Sequence, residues 1–485
     1  MSAKTLVIGL DGLGEHDIAK AITENRAPNF TKLLQRLKRI RINSELGFGD
    51  GVFWGSAATG TDTAEHGVYY IKQFNHKTYD FDWVDETEDF HATPFWKYLD
   101  DANKKTFTVD WPRSPYPKIK NGVYVENWLQ HDPPTPLRSF PESLANELAE
   151  KYGDDPLLPN FYERSIDTVE DAQWLIDSFR HRINAKKEAC TEKLQHEDWD
   201  VFTVVFTDPH DAGHHAFHLS DPNHPIYDQK TAAITGDPVA IVTDYLDDAV
   251  GALVDAAGPD CEVIVSAGLG MRIMTTASTA IDLITKRLDQ GIEHESKPVE
   301  VAREQYRSII PLPVRKLLSP LKSMISKEPQ ISELAIRRFF PLLHVDNIVC
   351  IRVNLKGRES HGIIEPGDEF DSLLSEIEEG FMDIINSETG NPIVSKTLRT
   401  RDLYDGPQMD KLPDLFIFWN RDEPIRQIES PRIGKIDVPE RRIRRGDHVD
   451  DGDLWANSDL LRKANIEDSC FPKDVARIIM TSALN

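Results

Sequence analysis

Apolar, β-branched runs alternate with amphipathic stretches along this chain, a pattern that predicts buried strands separated by helices. Lys4–Leu10 reads as the first strand and ends at Asp11-Gly12, ahead of a helical pattern around Ile18–Leu37. Gly47-Phe-Gly-Asp-Gly51 is a glycine-rich turn, and a short helix over Val52–Thr59 would aim its first N–H groups at an anion. Thr106–Asp110 and Val123–Asn127 read as short strands, Pro141–Tyr152 and Val169–Leu194 as helices. Trp199–Thr207 and Glu262–Ala267 are the next strands, with a helix over Val239–Ala257 between them. Ser278–Leu288 is predicted helical, Asn347–Val353 and Asp414–Trp419 are further strands, and Phe370–Ile385 is the helix between those two. Such alternation predicts an α/β fold with a mostly parallel sheet covered on both faces. One domain over residues 1–485 is expected, with the polar, then basic and proline-broken stretch 291–327 as an insertion in it.

Ligands collect at the carboxyl ends of strands in such sheets. There the chain reads Asp208-Pro-His-Asp-Ala-Gly-His-His-Ala-Phe-His218, four histidines and two aspartates in eleven residues. Pro209 suits the first turn of a helix. On that helix His210, His214 and His218 share one face, Asp211 and His215 a neighbouring one. Imidazoles four residues apart, beside carboxylates, form a candidate divalent-metal site. Spacing alone leaves open both the choice of pair and a histidine-rich surface turn.

Composition narrows the function classes. The net charge of −25 is spread along the chain, which argues against the basic stripe of a nucleic-acid-binding surface and favours small-molecule substrates. Cys190, Cys261, Cys350 and Cys470 lie far apart without zinc or redox spacing, so reduced thiols are expected. No apolar window is long enough for a membrane span, and the first strand follows Met-Ser-Ala at once, so a cytoplasmic protein is expected.

Four further segments carry a resemblance. They are Val7-Ile-Gly-Leu-Asp-Gly-Leu13 followed by Ala27-Pro-Asn-Phe-Thr-Lys-Leu-Leu34; Phe53-Trp-Gly-Ser-Ala-Ala-Thr-Gly60 with His66-Gly67-Val68; Val263-Ile-Val-Ser-Ala-Gly-Leu-Gly-Met271; and Arg445-Gly-Asp-His-Val-Asp-Asp-Gly-Asp-Leu454. Together they resemble the type I phosphodiesterase/nucleotide pyrophosphatase family of the alkaline phosphatase superfamily. The resemblance implies an alkaline-phosphatase-like α/β sandwich and a two-metal hydrolase of phosphoesters or phosphodiesters that acts on a small phosphorylated molecule. It implies Asp11 as a ligand of the nucleophile-side metal. It implies His210 and His214 as ligands of the other metal, with Gly213 matching the family's Gly-His, and His448 as the residue completing that shell. Asp208 is a candidate extra ligand, and His215 and His218 are left to outer or structural roles.

Two departures mark the chain as divergent. The nucleophile's position, nine residues before Thr59, is Asp50 rather than Thr or Ser, and Ser56 lies too far along the predicted helix to replace it. Gly268-Leu269 stands where the family has Asp-His, so the nucleophile-side metal keeps Asp11, gains Asp50 and loses two ligands. The expected centre therefore holds one Zn²⁺ or Mn²⁺, with the second site weakened. Asp50 stays open as general base, ligand or nucleophile. Lys72, Asn75 and Arg358 are candidates to hold phosphoryl oxygens. The alternative is a catalytically degenerate member that binds a ligand or partner protein. The chain has no Cys/Ser-x-Pro-x-Arg sulfatase segment and no P-loop, and Gly60-Thr-Asp-Thr-Ala-Glu-His-Gly67 lacks the serine of a cofactor-independent phosphoglycerate mutase.

Overall fold

The computed structural model describes residues 3–116, 118–130, 135–159, 161–292, 332–441 and 443–484. The predicted insertion 291–327 lies outside the described residues apart from its first two, as does the side chain of Asp50. A nine-stranded sheet runs in the order Ser469–Cys470, Lys38–Asn43, Asp451–Ala456, Glu262–Ala267, Ala3–Leu10, Trp199–Phe206, Thr106–Val109, Gly122–Glu126 and Arg138–Phe140. Ala3–Leu10 pairs in parallel with both of its neighbours, and Thr106–Val109 does the same with its own. Asp451–Ala456 is antiparallel to the strands on either side of it.

Alternation along the central strands fills two cores. Leu6, Ile8 and Leu10 join Phe202, Val204 and Phe206 on one face, under the helices Val169–His196 and Pro238–Ala257. Val7, Val201, Val205 and Ile264 join the other face, under Phe53–Thr59 and Asp474–Leu484. Burial on both faces is why these strands read as unbroken apolar runs. The less obvious strand Lys38–Asn43 turns Ile40 and Ile42 inward. Its outward Arg39 and Arg41 pair with Asp453 at 2.7 Å and Asp451 at 2.6 Å, which accounts for acidic residues in a strand next to it.

Two expectations are corrected. The helical pattern around Ile18–Leu37 is two helices, Glu15–Thr23 and Pro28–Leu34, because Asn25 turns left-handed at φ 57° and Pro28 begins a new first turn. The late strands Ile348–Val353 and Leu415–Trp419 exist but do not extend the parallel sheet. They form an antiparallel sheet with Phe339–Leu342 and Val394–Arg399, packed through Ile351, Leu415 and Ile417 onto the helix Asp368–Met382. An apolar run signals a buried strand and carries no information about its partner's direction. Among the described residues no helix is long and apolar enough to cross a membrane.

Candidate metal centre

Strand Ala3–Leu10 delivers Asp11 to the carboxyl edge of the sheet, where its N–H donates to the Phe206 carbonyl at 2.9 Å. Gly12 follows at φ +77°, and a Cβ there would fall 2.4 Å from His210 Cα. Only glycine lets this loop lie on the His210 backbone. Gly12→Ala should therefore lower the unfolding free energy by about 1–3 kcal/mol or more. An unchanged denaturation midpoint would contradict the close approach.

The helix Asp208–Ser220 starts with Pro209 in its first turn and is buried almost throughout. Gly213 gives it a flat spot against Met271, whose Cγ would lie 2.3 Å from any Cβ. Met271 in turn sits opposite His448 in the antiparallel pair Met271–Ile273 and Gly446–His448. This stacking carries His214 to His448. His210, His214 and His448 are all buried and each offers one nitrogen within 4.8 Å of the others.

Hydrogen bonding fixes how two of these rings face. His214 Nδ1 donates to the Gly446 carbonyl at 2.8 Å, and His448 Nδ1 donates to the Leu269 carbonyl at 3.0 Å. A carbonyl oxygen only accepts, so both Nε2 atoms carry lone pairs. The two Nε2 atoms lie 3.1 Å apart. Burial, with Arg444 and His448 nearby, holds the His214 pKa well below the usual imidazole value and keeps the ring neutral. Neutral imidazoles oriented by backbone carbonyls and converging on one point suit a nitrogen-preferring divalent ion such as zinc. Arg444 Nη2 donates to His214 Nε2 at 2.6 Å, so a cationic group already meets one of the two lone pairs.

The structure sorts the remaining sequence candidates. Asp208 is not in the histidine group; Arg182 Nε lies 3.3 Å from its carboxylate and Arg182 Nη1 donates to Asp211 at 2.8 Å. Burial pushes the Asp211 carboxyl up to about 8 against the pull of Arg182. The His215 ring packs tilted against Phe161, centroids 4.0 Å apart, and His218 bonds the Ile166 carbonyl at 3.0 Å. Lys72 lies over the Trp83 ring at 4.4 Å, and Asn75 accepts from the Lys77 N–H inside a turn. Arg358 makes two 2.7 Å bonds to Asp414 and a third to Glu359. All three candidates for phosphoryl oxygens are thus engaged elsewhere. Asp50 heads a one-turn 3₁₀ helix that runs straight into Phe53–Thr59. A Cβ at Gly268 would lie 3.1 Å from Asp11 Oδ1, and Leu269 is buried in the apolar cluster with Val7 and Trp54.

Four charged residues beside the trio escaped the sequence reading. Arg441 and Arg444 share the buried Asp346, at 2.6 and 3.6 Å. Arg421 donates to the His448 carbonyl at 2.7 Å and lies 3.5 Å from Asp447. Val345 and Asn347, which flank Asp346, lie against Gly51 and Gly49 of the turn that holds Asp50. The available signal was Arg441-Arg-Ile-Arg-Arg445, a basic run in an acidic chain, three residues before a candidate ligand.

Ser56 takes part in a buried network of a different kind. His66 Nδ1 accepts from the Val68 N–H at 3.2 Å, so its Nε2 carries the proton and donates to Ser56 Oγ at 3.0 Å. Ser56 Oγ then donates to Glu45 at 2.7 Å. An imidazole that donates to a serine cannot take its proton, so this chain of bonds is structural. Burial pushes the His66 pKa down to about 3. The unfolded chain therefore takes up the proton first on acidification. The contribution is full above pH about 6.5, and each pH unit below that removes about 1.4 kcal/mol until the folded pKa is reached. Urea titrations between pH 7 and 4 should show this slope in the wild type and a smaller one in His66→Gln; equal slopes would remove His66 from the account.

The family model for type I phosphodiesterase/nucleotide pyrophosphatase matches residues 5–315. The chain belongs to that family. Its fold is alkaline-phosphatase-like, as in phosphonoacetate hydrolase from Sinorhizobium meliloti 1021 in complex with phosphonoformate, which aligns with a TM-score of 0.54 at 12% identity over 99% of this chain and 96% of its own. Murine ectonucleotide pyrophosphatase/phosphodiesterase 5, an inactive variant in complex with AMP, aligns with a TM-score of 0.51 at 11% identity over 99% and 95% of the two chains. No curated protein matches the sequence. Within the type I phosphodiesterase match lie Asp11, His210 and His214, while His448 comes from beyond it.

Proposed function

We propose that this chain is a metal-dependent hydrolase of phosphoesters or phosphodiesters with a remodelled centre. The observation that carries the reading is the pair of Nε2 atoms 3.1 Å apart inside a buried histidine trio, an arrangement that a cation stabilises. His210, His214 and His448 would hold the ion, Zn²⁺ by preference for nitrogen or Mn²⁺ if carboxylates join. When bound, it supplies a Lewis acid for a phosphoryl oxygen and for water.

The chain's own residues do the rest. Asp11, at the end of the central strand, leads into the Gly12 turn that lies on the His210 backbone. Asp50, at the position the family gives its nucleophile, acts as the general base. A cleft lined by Gly51, Val52, Tyr70, Trp83, Phe90 and Arg113 adjoins the Asp50 turn and offers aromatic walls to the organic part of an ester. The substrate is a small phosphorylated molecule, the class to which the AMP held by the murine relative belongs.

The test is zinc content together with turnover of bis(4-nitrophenyl) phosphate and 4-nitrophenyl phosphate. Asp50→Asn should keep its zinc and lose about 10²- to 10⁴-fold in turnover. Loss of zinc in that variant would make Asp50 a ligand instead, and a folded wild type that neither binds metal nor turns over either ester would sink the hydrolase reading. A second reading, a degenerate member that binds without catalysis, is favoured by the buried Leu269 where the family has a histidine. It predicts zinc retained with no turnover of either ester.

A further inference from the structure

Arg444 stands at a point that no metal-ligand pattern assigns. Its guanidinium lies against the His214 ring, with Nη2 2.6 Å from Nε2 and Nε 3.0 Å from Nδ1. The Gly446 carbonyl already takes the Nδ1 proton, so the hydrogen bond proper is the one to Nε2. That is the nitrogen that faces His448 across the trio. The other end of the guanidinium faces Asp346, whose neighbours Val345 and Asn347 pack on the glycine turn of Asp50. Arg444 therefore bridges the histidines and the turn that adjoins the aromatic cleft.

Charge counting gives this position a meaning. Relative to the two-ion pattern of the family, Gly268-Leu269 removes one carboxylate and one neutral imidazole. Losing a divalent ion together with one carboxylate, while Asp50 adds a carboxylate back, leaves the site two positive charges short. A single guanidinium restores one of them. Its planar fork also matches two non-bridging phosphoryl oxygens at once.

Resting on the proposed function, we infer that Arg444 is the anion-holding group of this site and takes the charge-neutralising part of the missing second ion. In the metal-free chain it occupies the His214 nitrogen. It yields that nitrogen to the divalent ion and turns its donors to the phosphoryl group. Metal and anion therefore bind in order, the metal first. Asp346 is the hinge partner that keeps the side chain in reach, shared with Arg441.

The experiment uses the full chain, stripped with a chelator and reloaded with zinc. Zinc affinity is read by competition with a chromophoric chelator, and inorganic phosphate affinity by calorimetry with and without zinc. The wild type should bind phosphate at least about tenfold more tightly with zinc than without. Arg444→Met should bind zinc about three- to tenfold more tightly, because a competitor for His214 is gone, and phosphate about 10- to 100-fold more weakly. Arg444→Lys should recover part of the phosphate affinity. Arg441→Met, which removes the neighbour on Asp346, should change phosphate affinity less than about twofold. The inference is overturned if Arg444→Met keeps wild-type phosphate affinity, or if it loses zinc and phosphate together as a mere support of His214 would. The hydrolase reading fails separately, by a wild type that binds zinc and phosphate and turns over no ester.

Discussion

Replacing His214 with alanine is expected to drop bound zinc from about one ion per chain to near zero and to lower turnover of an aryl phosphodiester about 10³-fold. Two nitrogens remain, on His210 and His448, too few for a closed nitrogen shell. A bound ion supplies several kcal/mol of charge stabilisation, and each 1.4 kcal/mol is about a factor of ten in rate. His214 is the member most sensitive to removal because it links the other elements. Its ring bonds the Gly446 carbonyl, and its own carbonyl accepts from the Arg445 N–H. Metal analysis after dialysis gives the first number and steady-state kinetics the second. Full zinc occupancy in His214→Ala would move the centre elsewhere.

The second large effect belongs to Arg182. This guanidinium is 1% exposed in the long helix Val169–His196 and meets Asp208 at 3.3 Å, Asp211 at 2.8 Å and Asp155 at 3.9 Å. It also donates to the Leu129 carbonyl and the Thr207 hydroxyl, at 2.9 and 3.0 Å. Arg182→Met takes this cation from Asp208 and Asp155 and a hydrogen-bond donor from Asp211, and removing one partner of such a buried set costs about 3–5 kcal/mol. Asp208 and Asp211 begin the helix that carries His210 and His214. The loss of stability should therefore come with weaker zinc binding, read as a smaller rise in melting temperature on adding zinc. A double substitution, Arg182→Met with Asp208→Asn, should regain part of the stability because one buried charge goes with its partner. Full wild-type stability in Arg182→Met would show that solvent reaches this cluster.

The reach of the sequence is clearest at Asp208. It stands two residues from His210, which made it look like a neighbouring ligand. Two residues on a helix are about 200° of rotation, so their side chains point to opposite sides. Asp208, Asp211 and His215 fall on one face by the same period and meet Arg182 and Phe161, while His210 and His214 meet His448. The helical period was legible, and strict use of it separates the two sets. Arg444 was not legible in the same way. It lies in a loop without periodicity, and its contact with His214 spans 230 positions. The central strands were readable because burial on both faces makes them mostly apolar. Asp451–Ala456 was hidden because two of its residues, Asp451 and Asp453, answer arginines across the sheet rather than a core.

That strand also governs when the site can exist. Asp451–Ala456 wedges between strands that begin at residues 38 and 262, and it follows His448 by three residues. During synthesis the first two imidazoles emerge long before the third, and they wait for a late insertion into a half-built sheet. Metal capture would then report a finished molecule. A chain stopped near residue 440 would carry two ligands, an open seam between distant strands, and nothing to bind the ion that marks completion.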